Sequence, residues 1–417
     1  MTAECKAFCV NVKRKSVAVI GFAEALSAAE VAWSLVDAGF EVVGFARKGR
    51  DCALRHSRFV SIREVTPPEA NAAECVEDLI EILNELSAGT ESCVLMPLDD
   101  SAVLLCGRLT LPANCVSTGP QKRATDVALD KSLQLTLAKE AGFPVPGTAR
   151  VEVARDLLKR ATTFPMILKP AEAVMLSENR LAKGRNWICA NEVELQKAAK
   201  TWNGRYALLV QPLIAGQGEG VFGIATSRGV KALSGHRRLR MMNPHGSGSS
   251  ACISQPVSGE LRPSIEGFVR RAGWMGLFMI ELLRDAAGTA WFIEFNGRPW
   301  GSMALSRRQG LEYPAWAAQV AKDAAWDLRD PAPAERELVC RNVAREFLHL
   351  LFILRGRQSA AMNHWPSFWR SAVDVLRMSR RDRLYNFRRD DIKVFLTDCY
   401  CTIREQVFKP RQREART

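Results

Sequence analysis

The chain has 417 residues, of which 47% are hydrophobic, and it carries 58 Lys and Arg against 45 Asp and Glu, a formal net charge of +13. That apolar content excludes a disordered protein and suffices for two or three domains, while the surplus positive charge points to an anionic partner. The longest apolar run of note, FLHLLFIL from Phe347 to Leu354, is far shorter than the roughly 20 residues a membrane span needs, so no membrane partner is expected.

The stretch from Asn11 to Ser16 is polar and basic where a secretory signal would be apolar. The twelve cysteines include the near pairs Cys5/Cys9 and Cys399/Cys401 but no CxxC and no His companions. Zinc is therefore not indicated, and reduced, mostly buried thiols in a cytoplasmic protein are expected.

In chain order, SVAVIGF from Ser16 reads as a buried parallel strand, Ala25 to Ala38 as an amphipathic helix and EVVGF from Glu41 as the next strand, a βαβ unit. It lacks the G-x-G-x-x-G turn of a dinucleotide site. A helix near Ala72 to Leu86 and the strand CVLMPL follow, with Asp99 and Asp100 at the strand's carboxyl end. Ligands of open parallel sheets sit there, but both aspartates also suit a helix N-cap, and capping is the preferred reading.

From Pro120 onward, Asp130 suits the cap of a helix running to Gly142, with Lys131 in its first turn. The helix dipole disfavours a cation there unless an anion accompanies it. FPMILKP reads as a buried strand ending at Lys169, and a buried lysine wants an anionic partner. LLVQPLI, Leu208 to Ile214, and the glycine-rich AGQGEGVFG containing Glu219 come next. In SGHRRLRMMNPHGSGSS, alternation puts Arg238 and Arg240 on the face of His236 and Arg237 opposite, and the run 246–250 suits a loop that closes over substrate. A solvated basic strand with a flexible loop is the alternative.

The segment FMIELLRDAAGTAWFIEFNGRPWGSM, Phe278 to Met303, predicts a β-hairpin turning at Asp285-Ala286-Ala287-Gly288. Pairing Arg284 with Thr289 sets Glu281 opposite Phe292 and puts Glu281, Glu294 and Asn296 on one face. Two carboxylates on a sheet diagonal stand roughly 7–8 Å apart, suited to gripping Mg²⁺ or Mn²⁺ rather than zinc. Arg298 can point at the same place and meet phosphate or carboxylate oxygens. An edge hairpin with solvated glutamates is the alternative, and the apolar flanking strands argue against it.

Beyond Asp330, DPAPAERE reads as a linker and the remainder as helices rich in arginine and tryptophan, of which VAREFLHLLFIL docks on the core. SRRDRLYNFRRDDIK and the final KPRQREART are charged, and disorder is expected in the last residues. Basic residues alternate with Trp365, Trp369, Tyr385 and Phe387, yet no RNA-binding motif occurs and nucleic acid is not an expected partner.

The set Glu281…Glu294-x-Asn296-x-Arg298 resembles the metal-binding core of the ATP-grasp superfamily, of the carboxylate–amine ligase, carbamoyl-phosphate synthetase and biotin carboxylase type. Asp130-Lys131 with the FPVP after Gly142, the FPMILKP strand, LLVQPLI and Trp300-Gly301-Ser302 extend that likeness over about 20 to 320. The resemblance implies an α/β fold: a Rossmann-like parallel-sheet pre-ATP-grasp domain over 1–119, an ATP-grasp domain of two α+β subdomains over 120–330 with a lid at about 148–210, and a helical C-terminal region over 331–417.

It further implies that Lys131 and Lys169 reach the ATP phosphates, that Gln211, Leu213 and Ile214 form the adenine hinge, and that Glu219 holds the ribose. Glu281, Glu294 and Asn296 would hold Mg²⁺ (or Mn²⁺), with Arg238 and Arg298 at the phosphoryl group. Backbone readout of adenine would use the Leu213 N–H and the Gln211 carbonyl. The chain departs from the family where Gln211 replaces a glutamate, where Pro212 removes a donor, and where AEAVMLSENRLAKG supplies no glycine before Gly184. The implied activity is ATP-dependent ligation of a small-molecule carboxylate to an amine. ATP-dependent carboxylation, phosphoryl transfer to a small acid, and an ATP-binding module without turnover stay open, as does assembly, a homodimer included.

Overall fold

The computed structural model describes residues 16–160, 163–246, 248–331, 337–357, 359–361 and 365–407. The N-terminal run with Cys5 and Cys9, five residues of the DPAPAERE linker and the KPRQREART tail lie outside them.

The first layer is a parallel sheet of β1 (Val17–Gly21), β2 (Glu41–Arg47), β3 (Val60–Val65), β4 (Cys93–Pro97) and β5 (Cys115–Ser117), in the order β3-β2-β1-β4-β5. Alternation along β1 sends Val17 and Val19 against Leu79 and Leu83 of the Ala72–Ala88 helix, and Ala18 and Ile20 against Val31 and Leu35 of the Ala28–Asp37 helix. Both faces are covered, which is why the central strands are apolar throughout. Strand order reverses between β1 and β4, so the loops leaving their carboxyl ends border the crevice where such sheets bind ligands. The edge strands β3 and β5 escape sequence reading because one is half exposed and the other spans three residues.

The second layer contains β6 (Ala149–Val151), β7 (Met166–Pro170), β8 (Met175–Ser177), β9 (Arg180–Ala182), β10 (Trp187–Cys189) and β11 (Leu208–Pro212). Four of these form an antiparallel sheet, β10-β7-β11-β6, and β8 pairs with β9 as a separate hairpin. Met166, Leu168, Leu208 and Val210 pack under the helices Ala154–Arg160 and Glu192–Trp202. Lys169 and Gln211 therefore occupy the opposite face.

The third layer holds β12 (Gln217–Thr226), β13 (Gly229–Met241), β14 (Ser249–Gln255), β15 (Gly276–Arg284), β16 (Ala290–Asn296), β17 (Val339–Arg341) and β18 (Asp382–Leu384), in the order β16-β15-β12-β13-β14-β17-β18. Val221, Ile280, Leu282 and Phe292 face Ile265 and Phe268 of the Arg262–Ala272 helix; Phe222, Ile224 and Met279 face Trp300 and Tyr313.

The C-terminal region is not wholly helical, contrary to expectation. It extends the third sheet, β17 running antiparallel to β14 and β18 parallel to β17. These strands are three residues each, too short to leave a period in the sequence. The Val343–Leu354 helix buries Ala344, Leu348 and Ile353, and Asp391 accepts from Trp33 Nε1 at 2.9 Å, tying the region to the first layer. Among the described residues ten cysteines are free, eight of them buried, and no helix is long and apolar enough to cross a membrane.

Candidate active site

The hairpin of β15 and β16 forms in a different register from the predicted one. Arg284 pairs with Ala290, not Thr289, because the Asp285 carboxylate accepts from the backbone N–H groups of Ala287 and Thr289 and from Trp291 Nε1, enlarging the loop to residues 285–289. A bulge at Ile293 then brings Glu281 opposite Glu294, and Met279 opposite Asn296. Directly paired residues hold their Cβ atoms about 4.5–5.5 Å apart, so the two carboxylates stand closer than the diagonal reading implied. Glu281, Glu294 and Asn296 do share one face.

Cations surround that face. Arg238 Nη2 meets Glu281 Oε2 at 2.6 Å, and Lys131 Nζ lies 3.4 Å from Glu294 Oε1. Burial works to raise the Glu281 pKa, but the Arg238 guanidinium overrides it and holds the carboxyl below its ordinary value. Lys131 reaches the site because Asp130 caps its helix, Oδ1 accepting from Ser132 N at 2.7 Å and Leu133 N at 3.2 Å. Lys169 projects from β7 with its pKa pushed down by burial and then by Lys131, and Glu294 and Glu281 only partly offset this.

Glycine makes room for this arrangement. A Cβ on Gly218 would lie 2.7 Å from Arg238 Cδ, and one on Gly220 would lie 2.8 Å from His236 Nε2. The two glycines of β12 let the β13 side chains lie flat across the sheet. His236 is buried, its Nδ1 is 2.9 Å from Ser302 Oγ, and burial followed by Arg238 lowers its pKa to about 3.

Asp99 and Asp100 divide the two roles considered for them. Asp99 Oδ1 accepts from Ala102 N at 2.8 Å as a helix cap, and Oδ2 meets Arg47 Nη2 at 3.2 Å. Asp100 instead receives Arg298, Nε to Oδ1 at 2.5 Å and Nη2 to Oδ2 at 3.3 Å, with Lys183 Nζ 3.9 Å away. A cavity of about 330 Å³ opens among Ser27, Asp100, Lys183, Arg238, Arg298 and Arg345, so the crevice of the first sheet, the hairpin and the C-terminal region meet there. A larger cavity, about 550 Å³, lies among Ala232, Ser254, Arg262 and Leu311 and gathers none of this charge set.

Three expected placements are corrected. Leu239 is an extra residue in β13 against β14, and this bulge turns Arg240 away from Arg238, to where it and Arg341 both grip Glu346. Glu219 pairs with Leu282 while Gly220 pairs with Glu281, so Glu219 faces away from the carboxylate pair, and the Arg284 fork takes both its oxygens at 2.9 and 2.8 Å. It is not placed to hold a ribose.

At the hinge, Leu213 N donates to Pro165 O at 3.0 Å, and Gln211 faces Ile167 as the alternate bonded pair of the ladder. The two groups assigned to adenine are thus used within the sheet. The Pro212 carbonyl and the Ile214 N–H are the neighbours that the β7 ladder leaves over. Gln211 is buried and donates through Nε2 to Thr148 Oγ1 at 2.8 Å, a structural role for the atypical residue.

The glycine-poor segment after Lys169 is the β8–β9 hairpin, turned by Glu178 and Asn179 at φ of 48° and 60°. Its tip docks on the start of the Ala72–Ala88 helix. Asn179 O and Oδ1 accept from the N–H groups of Ala72 and Ala73 at 2.7 and 2.9 Å, and its Nδ2 donates to Asn71 Oδ1 at 2.7 Å.

No family model and no curated protein sequence matches the chain. Solved structures do. An L-amino acid ligase from Bacillus licheniformis superposes with a TM-score of 0.59 at 17% identity, covering 78% of this chain and 79% of that one. The ADP complex of N5-carboxyaminoimidazole ribonucleotide synthetase gives 0.59 at 12% identity over 82% and 86%. Biotin carboxylase from Campylobacter jejuni, in a β-γ-ATP complex, gives 0.59 at 17% over 78% and 75%.

The chain has the ATP-grasp fold. Within it, sequence reasoning did not foresee the site positions of Lys183, the His236–Ser302 pair, Arg345 and Tyr385. Lys183 carried one signal, standing directly before the first glycine after the KP strand; the others depend on long-range packing.

Proposed function

We propose that this protein is an ATP-dependent ligase that activates a carboxylate as an acyl-phosphate and joins it to an amine. The observation that carries the reading is the opposed pair Glu281 and Glu294, ringed by Lys131, Lys169, Arg238 and Arg298 on one sheet face. Two carboxylates that close, inside a ring of cations, suit a metal-bound polyphosphate better than a solvated surface.

The donor set fits Mg²⁺. Among the described residues there is no cluster of three or more His, Cys, Asp or Glu, and Mg²⁺ is ordinarily held by one or two carboxylates plus substrate phosphates. The Asn296 side chain, buried on the same face, makes no hydrogen bond among the described residues and supplies a third oxygen. Glu281, Glu294 and Asn296 would hold Mg²⁺, which would supply charge neutralisation at the nucleotide phosphates. Lys131 and Lys169 hold the phosphates, and the Pro212 carbonyl and Ile214 N–H read the adenine edge.

The substrate carboxylate attacks the γ-phosphorus, the β–γ bridging P–O bond breaks and ADP leaves. Arg298 and Arg238 hold the charge that spreads over the transferring group. The neutral amine then attacks the acyl carbon, the C–N bond forms, the acyl C–O bond breaks, and phosphate departs as the amine proton is released. A carboxylate is already nucleophilic at neutral pH, so no general base is needed for the first step, and His236, held neutral, is not asked to be one. Free buried thiols fit a reducing, cytoplasmic setting.

The test is release of phosphate and ADP from Mg·ATP with pooled amino acids and small carboxylates, wild type against Glu294→Ala. Release confined to particular acid–amine pools and lost in the variant supports ligation. ADP formed with the acid alone, the phosphoryl group staying on the acid rather than being released as phosphate, would make the protein a carboxylate kinase.

A further inference from the structure

Arg345 stands in the cavity wall on the side contributed by the C-terminal region. It is the third residue of the Val343–Leu354 helix, whose cap Asn342 accepts from Arg345 N at 3.0 Å. Its side chain reaches the loop before β14, where a Cβ on Gly248 would lie 2.7 Å from Nη1, and Nη1 donates to Ser249 O at 3.4 Å. Arg345 Nε is buried with no hydrogen-bond partner, and among the described residues no carboxylate lies within 4.0 Å of the guanidinium; Asp398, itself hydrogen-bonded to Asn386 Nδ2, acts on it only through space. Burial pushes its pKa down.

The other arginines of the cavity differ. Arg238 has Glu281 and Arg298 has Asp100, and the adjacent Glu346 is consumed by Arg240 and Arg341. A buried guanidinium with an unpartnered Nε and no carboxylate hydrogen-bonded to it is costly unless an anion arrives. In the proposed reaction Arg238 and Arg298, at the hairpin, are taken up by the transferring phosphoryl group. Arg345 comes from a different element and is left for another group.

We propose that Arg345 anchors a second, non-reacting carboxylate carried by one of the two substrates. The proposal rests on the ligase reading and narrows it: either the amine is an amino acid, or the activated acid is a dicarboxylate. The planar fork of arginine matches a carboxylate through two parallel N–H···O bonds, so a neutral amide in its place forfeits one bond and the charge.

The test is a thermal-shift titration of the full chain, with Mg²⁺ and a non-hydrolysable ATP analogue, against two series of paired probes. One pairs L-amino acids with their amides; the other pairs four- to six-carbon dicarboxylates with their monoamides. In wild type at least one carboxylate should bind ten-fold or more tightly than its amide, and the series in which it does so identifies the substrate. Arg345→Gln should abolish that preference, weakening the carboxylate's binding far more than the amide's, and Arg345→Lys should restore part of it. Arg345→Met should melt above wild type without ligand, since it removes a buried cation that no carboxylate hydrogen-bonds. No preference in either wild-type series, or a preference undiminished in Arg345→Gln, overturns the proposal. Phosphate release from ATP, followed in the same panel, tests the ligase reading separately. Preference without turnover overturns ligation and keeps the anchor; turnover without preference does the reverse.

Discussion

Arg298 leaves the hairpin and closes a two-pronged ion pair on Asp100, at the crevice of the parallel sheet. The contact spans 198 residues of sequence and joins the layer that supplies the carboxylates to the layer that supplies the crevice. Burial works to raise the Asp100 pKa, and Arg298 with Lys183 outweighs it, leaving Asp100 below its ordinary value. Asp100 thus aims Arg298.

Asp100→Asn should keep the fold and lower kcat for the proposed ligase reaction by roughly 10- to 100-fold, the loss expected when a charge-assisted contact of about 1.5–3 kcal/mol no longer orients its partner. KM for ATP should change little, because Asp100 is remote from the hinge. Steady-state kinetics check this; an equal rise in KM with kcat unchanged would assign Asp100 to binding instead.

Lys169 is charged against its surroundings, its pKa depressed first by burial and then by Lys131. For a lysine with a depressed folded pKa, the cost is present while both states are protonated and is relieved as pH rises through the folded value towards the ordinary one. Lys169→Met should therefore raise the melting temperature without ligand at neutral pH while weakening nucleotide binding roughly ten-fold or more. Melting scans and nucleotide titration of the two proteins decide it. A variant that melts lower and binds nucleotide normally would mean Lys169 serves the fold.

His236 is neutral in the folded protein down to about pH 3, because burial and Arg238 oppose its charge. The unfolded chain protonates its histidine near pH 6.5. Between these values the unfolded state binds more protons, so His236 costs stability progressively as pH falls from 6.5 towards 3 and nothing changes above 6.5. His236→Gln should flatten the dependence of urea unfolding free energy on pH between 6.5 and 4.5. An unchanged slope would show that other groups carry it.

Asn179 sits at φ 60°, and its side chain latches the β8–β9 hairpin to the Ala72–Ala88 helix. Asn179→Gly keeps the left-handed turn and removes only the latch. Amide hydrogen exchange over 175–182 should accelerate several-fold while the β12–β15 core is unchanged, since such hairpins open locally. Exchange equal to wild type would show that the backbone bonds alone hold the tip.

The fold was legible where periodicity was long. The apolar strands β1, β2 and β4, the Lys169 strand and the hairpin left runs that no helix pattern imitates, and the composite of Lys131, Lys169, Glu281, Glu294, Asn296 and Arg298 marked one sheet face and what surrounds it. Bulges were not legible. One extra residue at Ile293 and another at Leu239 re-aimed Glu294 and Arg240, and a period-of-two argument carries no sign of either. Glu219 failed for the related reason that one residue of register decides which face a carboxylate sees. Arg345 was invisible because its meaning comes from the lack of an acid bonded to it, which only packing reveals.

The most direct test of an acyl-phosphate follows an oxygen atom. With Mg·ATP, pooled acids labelled with ¹⁸O in the carboxylate and hydroxylamine as the amine, wild type should release phosphate carrying one ¹⁸O per turnover together with a hydroxamate, and Glu294→Ala should release neither. Phosphate free of ¹⁸O while ATP is consumed would contradict carboxylate activation. ATP bound but not consumed with any pool would contradict the enzyme itself.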